Sequence, residues 1–288
     1  MLYLLLVSLV WAFSFGLIEG NLAGLDSNFV SFCRMAVSLI VFLPFLKIRK
    51  TTPKLRLQLA ITGAVQFGLM YITYIAAFKS LKAFEVALFT IFTPVYVVLI
   101  EDILEKKFTP VFLLTAAAAV AGTWIIKGQE LLTPDIFKGF LLVQVSNLCF
   151  ALGQVAYRRI MARESGVKDL DIFGMLYIGA AALTLVATLA FTPLSGITLN
   201  LKQILTLLYL GAIASGFSFM LWNLGARRVN VGALAIFNDL KIPLAIAVSL
   251  IFFKEQADLP RLLIGGIIII LALVINEWLA KRKINLSV

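Results

Sequence analysis

Residues 86–105 read VALFTIFTPVYVVLIEDILE, and residues 235–255 read AIFNDLKIPLAIAVSLIFFKE. Each is an apolar run with a proline inside it and an acidic residue near its end. Glu105 follows Pro94 by 11 residues, and Glu255 follows Pro243 by 12. Runs of this kind predict helices that cross ~30 Å of hydrocarbon. The Val86–Ile100 core of the first is short for a span, so its flanks are expected to extend it toward Phe84 and Leu104. One such run in each half of the chain predicts an internal duplication. The openings of the halves correspond as well, Trp11-Ala12-Phe13-Ser14-Phe15 against Phe150-Ala151-Leu152-Gly153-Gln154.

Outward from these two stretches the apolar runs continue. In the first half they are Leu2–Ile18, Phe29–Leu46, Leu57–Phe78 and Pro110–Ile126. After a Leu131–Asp135 link come Phe137–Tyr157, Ile172–Phe191, Ile204–Trp222, Ala233–Phe253 and Leu262–Trp278. The expected fold is an all-α integral membrane protein of ten transmembrane helices. It divides into five-helix repeats at 1–132 and 136–288 around a central cavity. Five is odd, so a tandem copy must insert upside down, the inverted arrangement common in secondary transporters.

Composition agrees. Apolar residues make up 61% of the 288 and charged residues 14%, with mean hydropathy +1.02. A soluble domain needs about 25% charged residues to cover its surface. The net charge of +10 is not a nucleic-acid face, because the basic residues lie between apolar runs. With the N-terminus in the cytoplasm, 16 Lys and Arg fall in inside loops and the tail, and 7 in outside loops. The positive-inside rule then places both termini in the cytoplasm of a bacterial inner membrane. The N-terminus opens on apolar residues with no basic leader or small-residue cleavage site, so it reads as the first span. Cys33 and Cys149 lie inside spans and read as free packing residues.

Catalytic readings lack residues. The chain has no histidine, no nucleophile elbow, no phosphate-binding loop and no cysteine set with metal-ligand spacing. A non-enzymatic protein is expected, with no cofactor, no metal ion and no obligatory protein partner. Its partners are the lipid bilayer and a small-molecule substrate.

Polar groups at membrane depth are expensive unless they face a cavity or a partner. Asn238, Asp239 and Lys241 cluster beside Pro243, whose ring crowds the Asp239 carbonyl, and Pro94 stands in the same relation to Thr90. Paired helix breaks at matching depth point to a central substrate site, whereas a proline kink serving packing alone is the plainer alternative. Asp239 and Lys241 are two residues apart and point about 200° around the helix, too far to pair readily. Lys241 either lines the cavity or forms a structural ion pair. Arg34 lines the cavity, snorkels to the interface or pairs with Glu85. Asn147 and Asn223 add amides, and Trp11, Tyr74, Tyr96 and Trp222 add aromatic faces. Aromatics with a few polar groups suit an amphipathic organic solute, although most membrane aromatics only pack or anchor. The glycines fit close helix packing.

With the Trp11-Ala12-Phe13-Ser14 opening, the two Pro…Glu halves and ten spans, the chain resembles the EamA-domain permeases of the drug/metabolite transporter superfamily over roughly residues 2–278. Phe89-Thr90-Ile91-Phe92-Thr93-Pro94-Val95-Tyr96, the stretch Leu141 to Asn147, Ala214-Ser215-Gly216 with Trp222-Asn223-Leu224-Gly225-Ala226, and Phe42-Leu43-Pro44-Phe45-Leu46 resemble the bacterial biotin-uptake branch of that family. The resemblance implies a secondary transporter importing biotin by alternating access of its halves. Within the same fold the alternative is an exporter of amino acids or other metabolites. From a different class, the alternative is an intramembrane enzyme or lipid-handling protein.

Overall fold

The computed structural model describes residues 2–106, 133–164, 166–229, 231–256 and 258–268, with scattered positions between 117 and 125 and residue 271. The expected span Pro110–Ile126, most of Leu262–Trp278 and the Lys281–Lys283 tail lie outside the described residues. Among those described, all regular structure is helical.

Among the described residues, seven helical rods are long and apolar enough to cross a membrane, against the ten spans expected for the whole chain. These are α1 (Leu2–Leu22), α2 (Ser27–Phe45), α3 (Pro53–Ala77), α4 (Ala83–Glu105), α5 (Pro134–Arg163), α6 (Asp169–Phe191) and α7 (Leu201–Ala226). They are followed by α8 (Val231–Phe252) and a shorter apolar helix, α9 (Leu259–Ile268). The flanks of α4 carry it past Val86–Ile100 on both sides, as the short apolar core required. Leu57, Ile61, Val186, Leu189, Leu205 and Ile251 are all more than half exposed, an outward apolar surface suited to lipid.

Polar caps start the rods where the chain re-enters the apolar layer. Asp26 accepts the amides of Asn28 and Phe29 at 2.9 and 3.2 Å at the head of α2, and the Thr192 hydroxyl also donates to it. Partial burial opposes the charge on Asp26, but these three donors outweigh it and hold the carboxyl below its ordinary range. Thr52 caps α3 ahead of Pro53, and Asn200 and Gln203 form a reciprocal capping box at α7. The head of α4 is the most acidic. Glu85 accepts the Lys82 amide at 3.0 Å, Glu19 accepts that of Ala83, and Glu255 accepts those of Ala83 and Phe84.

Between the halves, α1 packs on α7 and α8, α2 on α6 and α7, α3 on α5 and α6, and α4 on α5 and α8. Exchanging α1–α4 for α5–α8 maps this set of pairings onto itself. The closest approaches use glycine. A Cβ on Gly63 would lie 1.9 Å from the Leu176 carbonyl oxygen, and one on Gly179 would lie 1.8 Å from that of Ala60, so α3 and α6 touch backbone to backbone. Gly211 plays the corresponding part where α7 meets α2, and there Ser38 donates to the Gly211 carbonyl at 2.7 Å.

Backbone irregularities inside three of the rods bear on the site. α3 widens to a π-helical segment at Ala64–Leu69, and α7 does so at Leu210–Phe217. α4 tightens to a 3₁₀ turn at Thr90–Phe92 just before Pro94, whereas α8 runs through Pro243 as a continuous helix. The two prolines therefore act differently: one breaks its helix and the other is carried within it.

Candidate functional site

Side chains from the helical rods surround a cavity whose empty space, open mouth included, is about 520 Å³. Seven rods line it: α1, α2, α3, α4, α5, α7 and α8.

Aromatic faces form one wall. Trp11 on α1 meets Phe219 and Trp222 of α7 at ring separations of 5.0 Å each, and meets Phe150 of α5 edge-on at 6.1 Å. Its indole N–H donates to the Ala214 carbonyl at 2.8 Å. Ala214 belongs to the π-helical segment of α7, where the wider turn leaves carbonyls without their usual helical partners. Trp11 thus shapes the cavity and satisfies the loosened backbone behind it. Tyr74 on α3 also lines the cavity, packed edge-on against Phe15 and Tyr71.

Two cations reach the cavity from different halves. Lys241 on α8 is 6% exposed, and its Nζ lies 5.4 Å from the Trp11 ring centre and 6.0 Å from that of Phe150. Such placement over indole and phenyl faces stabilises the ammonium by cation–π attraction. Arg34 on α2 is 1% exposed. Its Nη2 donates to the Tyr71 hydroxyl at 2.7 Å and to Ser215 Oγ at 3.0 Å. Its Nε also donates to Ser215, and the guanidinium carbon lies 4.0 Å from the Tyr71 ring centre. Arg34 therefore neither snorkels outward nor turns to Glu85, whose carboxylate is engaged at the head of α4.

Polar neutral groups line the α4–α5 side. Asn147 donates to the Phe89 carbonyl at 2.9 Å, and the Thr93 hydroxyl donates both to Asn147 Oδ1 at 3.2 Å and to the Thr90 carbonyl at 2.7 Å. Gln144 reaches the same Phe89 carbonyl at 3.4 Å. The break before Pro94 frees carbonyls that cannot stay unpaired at membrane depth, and α5 supplies the donors.

The residues predicted from sequence divide accordingly. Trp11, Arg34, Tyr74, Asn147 and Lys241 come together around the cavity. Trp222 stands behind Trp11, fully buried, and donates to Gln154 Oε1 at 3.0 Å. Asn223 is buried as well and accepts from Gln66 at 3.3 Å. Tyr96 turns to Gln144, and Glu85 caps its own helix. The side chains of Asn238 and Asp239 lie outside the described residues. Met70, Thr93, Ser146 and Phe219 line the cavity without having been singled out, and Ser215 holds Arg34 from the π-helical turn. Thr93, Ser146 and Ser215 fall inside the stretches that carry the family resemblance, and the cost of small polar residues at membrane depth is the physical signal that could have singled them out.

A bundle of membrane-crossing helices around a cavity of aromatic, amide and cationic groups defines a multi-pass carrier of small organic solutes. Sequence comparison makes this specific. The EamA-like transporter family matches residues 1–128 and 137–277, and the chain belongs to that family. It is 37% identical to a probable biotin transporter of Pseudomonas aeruginosa over 99% of this chain and 100% of that one. It is 33% identical to the biotin transporter of Escherichia coli K12 over 98% of this chain and 95% of that one. A solved crystal structure aligns over 98% of both chains with a TM-score of 0.72 at 19% identity, which establishes a shared fold. The chain is a membrane transporter, not an enzyme.

Proposed function

We propose that this transporter imports biotin across a bacterial inner membrane by alternating access. In this reading two inverted five-helix repeats, residues 1–132 and 136–288, make up ten spans with both termini in the cytoplasm. The reading is supported by the pairing of rods between the halves, which is unchanged when the halves are exchanged, and by the π-helical segments at comparable places in α3 and α7.

The observation that carries the substrate is the make-up of the cavity, taken with the names of the near-full-length relatives. Biotin has an apolar bicycle, a ureido group and a valerate carboxylate. The bicycle fits the Trp11, Phe150 and Phe219 wall, and Tyr74 closes its far side. The ureido group needs donors and acceptors together, which Asn147, Thr93 and Ser146 supply. The carboxylate is drawn by Lys241, whose charge lies between the aromatic wall and the α4–α5 side. Asn238 and Asp239 flank Lys241 on α8, while Trp222 and Asn223 support the wall from behind. Tyr96 acts through Gln144.

The test is growth and uptake. Expression in a biotin auxotroph without its own importer should restore growth at low external biotin and accumulate labelled biotin. Membrane insertion confirmed without rescue or uptake would overturn import of biotin and favour export of another metabolite.

A further inference from the structure

Arg34 is a cavity residue whose charge no described carboxylate compensates. The side chain is 1% exposed, and its hydrogen-bond partners, Tyr71 and Ser215, are both neutral. Among the described residues no carboxylate lies within salt-bridge distance of it, and Nη1 is buried with no hydrogen-bond partner. An arginine at membrane depth costs roughly 2.5–3.5 kcal/mol even on the most lenient scale, and such residues face cavities or counter-ions. Arg34 lines the cavity.

Its holders fix its geometry rather than its charge. Tyr71 sits on α3 of the first half and Ser215 on the π-helical turn of α7 in the second, and the two hydroxyls are themselves 2.9 Å apart. Together they occupy Nε and Nη2 and place the guanidinium plane over the Tyr71 ring. One nitrogen, Nη1, keeps its hydrogens unused. A planar guanidinium held this way favours a planar oxyanion over a neutral carbonyl, because charge-assisted bonds are about twice as strong as neutral ones.

We propose that Arg34, positioned by Tyr71 and Ser215, reads the substrate's carboxylate through Nη1, so that the carrier takes free monocarboxylic acids and rejects their esters and amides. This rests on the biotin reading for the identity of the acid but not for the demand that it be ionised. Lys241 adds attraction from the opposite half, and Arg34 adds the shape selection.

The experiment is equilibrium binding to the full chain in lipid nanodiscs, with biotin, biotin methyl ester, hexanoate and methyl hexanoate as probes. The wild type should bind biotin ~10–150-fold more tightly than its methyl ester, the worth of one charged hydrogen bond. Arg34→Gln should narrow that ratio, with the loss falling on biotin more than on its ester. If Arg34→Gln does not fold, Tyr71→Phe and Ser215→Ala, which keep the cation, should each narrow the acid-to-ester ratio. Equal binding of biotin and its ester by the wild type overturns the inference and leaves the biotin reading standing. So does an unchanged ratio in Arg34→Gln, or in both Tyr71→Phe and Ser215→Ala. Binding of hexanoate over its methyl ester, with no binding of biotin, overturns the biotin reading and supports Arg34.

Discussion

Replacing Lys241 with methionine separates substrate binding from folding. Methionine keeps much of the length and fits between Trp11 and Phe150, so the wall survives while the charge is removed. If Lys241 makes one charge-assisted bond to the substrate carboxylate, its loss costs ~1.5–3 kcal/mol. That raises the apparent Km for biotin by ~10–150-fold. The cation–π contacts also disappear, but they exist without substrate and fall on stability, so membrane expression reports them separately. Lys241→Arg should recover part of the affinity, because the charge remains although its shape changes. Uptake of labelled biotin by proteoliposomes, normalised to inserted protein, gives the Km. A double mutant with Arg34→Gln tests whether both cations hold the same carboxylate. Groups sharing a partner depart from additivity by ~0.5–3 kcal/mol, whereas independent ones add. A well-inserted Lys241→Met with the wild-type Km would refute the role of Lys241, and strict additivity would refute the shared carboxylate.

Three further outcomes test the frame around the site. Gly179→Val should cost more than the ~1–3 kcal/mol usual for overpacking, because its Cβ meets the Ala60 carbonyl rather than a movable side chain; a wild-type thermal midpoint would contradict the close approach. Trp222→Phe should destabilise by ~1–3 kcal/mol by leaving Gln154 Oε1 buried without a donor, and adding Gln154→Leu should return most of it, as thermal midpoints would show. Asp26→Ala removes the α2 cap and should cost ~0.5–2 kcal/mol at neutral pH. The folded Asp26 carboxyl titrates below its ordinary value of 3.8, so its contribution is complete above that value and is lost as pH falls through the lower folded value. The gap between wild type and Asp26→Ala should therefore close only below pH 3.8.

Hydrophobic length made the spans readable from sequence, since nothing but a helix can carry 20 apolar residues through lipid. The same physics exposed Arg34, Asn147 and Lys241, because each stands out against an apolar background and each reaches the cavity. Trp11 was readable from its mid-span position. Asn223 and Trp222 carried an equal signal but face a buried layer with Gln66 and Gln154, and sequence does not separate a side chain that lines a cavity from one sealed behind it. Tyr96 fails for a related reason, since Gln144 one helix away draws its hydroxyl aside. Ser215 was the hardest to place. It lies on a π-helical turn, where the angular step per residue departs from that of an α-helix, so counting by 3.6 does not place its side chain. The different fates of Pro94 and Pro243 were also hidden, because one proline signal fits a broken helix and a continuous one alike.

The side chains at the cavity do a second task that links binding to movement. Trp11 satisfies the Ala214 carbonyl of the α7 π turn, and Tyr177 donates to the Ser215 and Gly216 carbonyls of the same turn at 2.7 and 2.8 Å. Asn147 and Thr93 hold the carbonyls freed at the 3₁₀ break of α4. The loosened turns of α4 and α7 are therefore tied down by residues that line the cavity or pack beside it. A ligand that shifts Trp11 or Asn147 changes a backbone hydrogen bond at a point where the helix is already weak. If alternating access bends α4 and α7 at these turns, the substrate needs no separate lever to reach them. Loosened helical turns are plausible hinge points because their altered hydrogen bonding leaves less regular structure to disrupt. On this reasoning, substitutions at Trp11 or Asn147 should alter Km and turnover together. A pure Km effect at Asn147 would break the link between the site and the hinge.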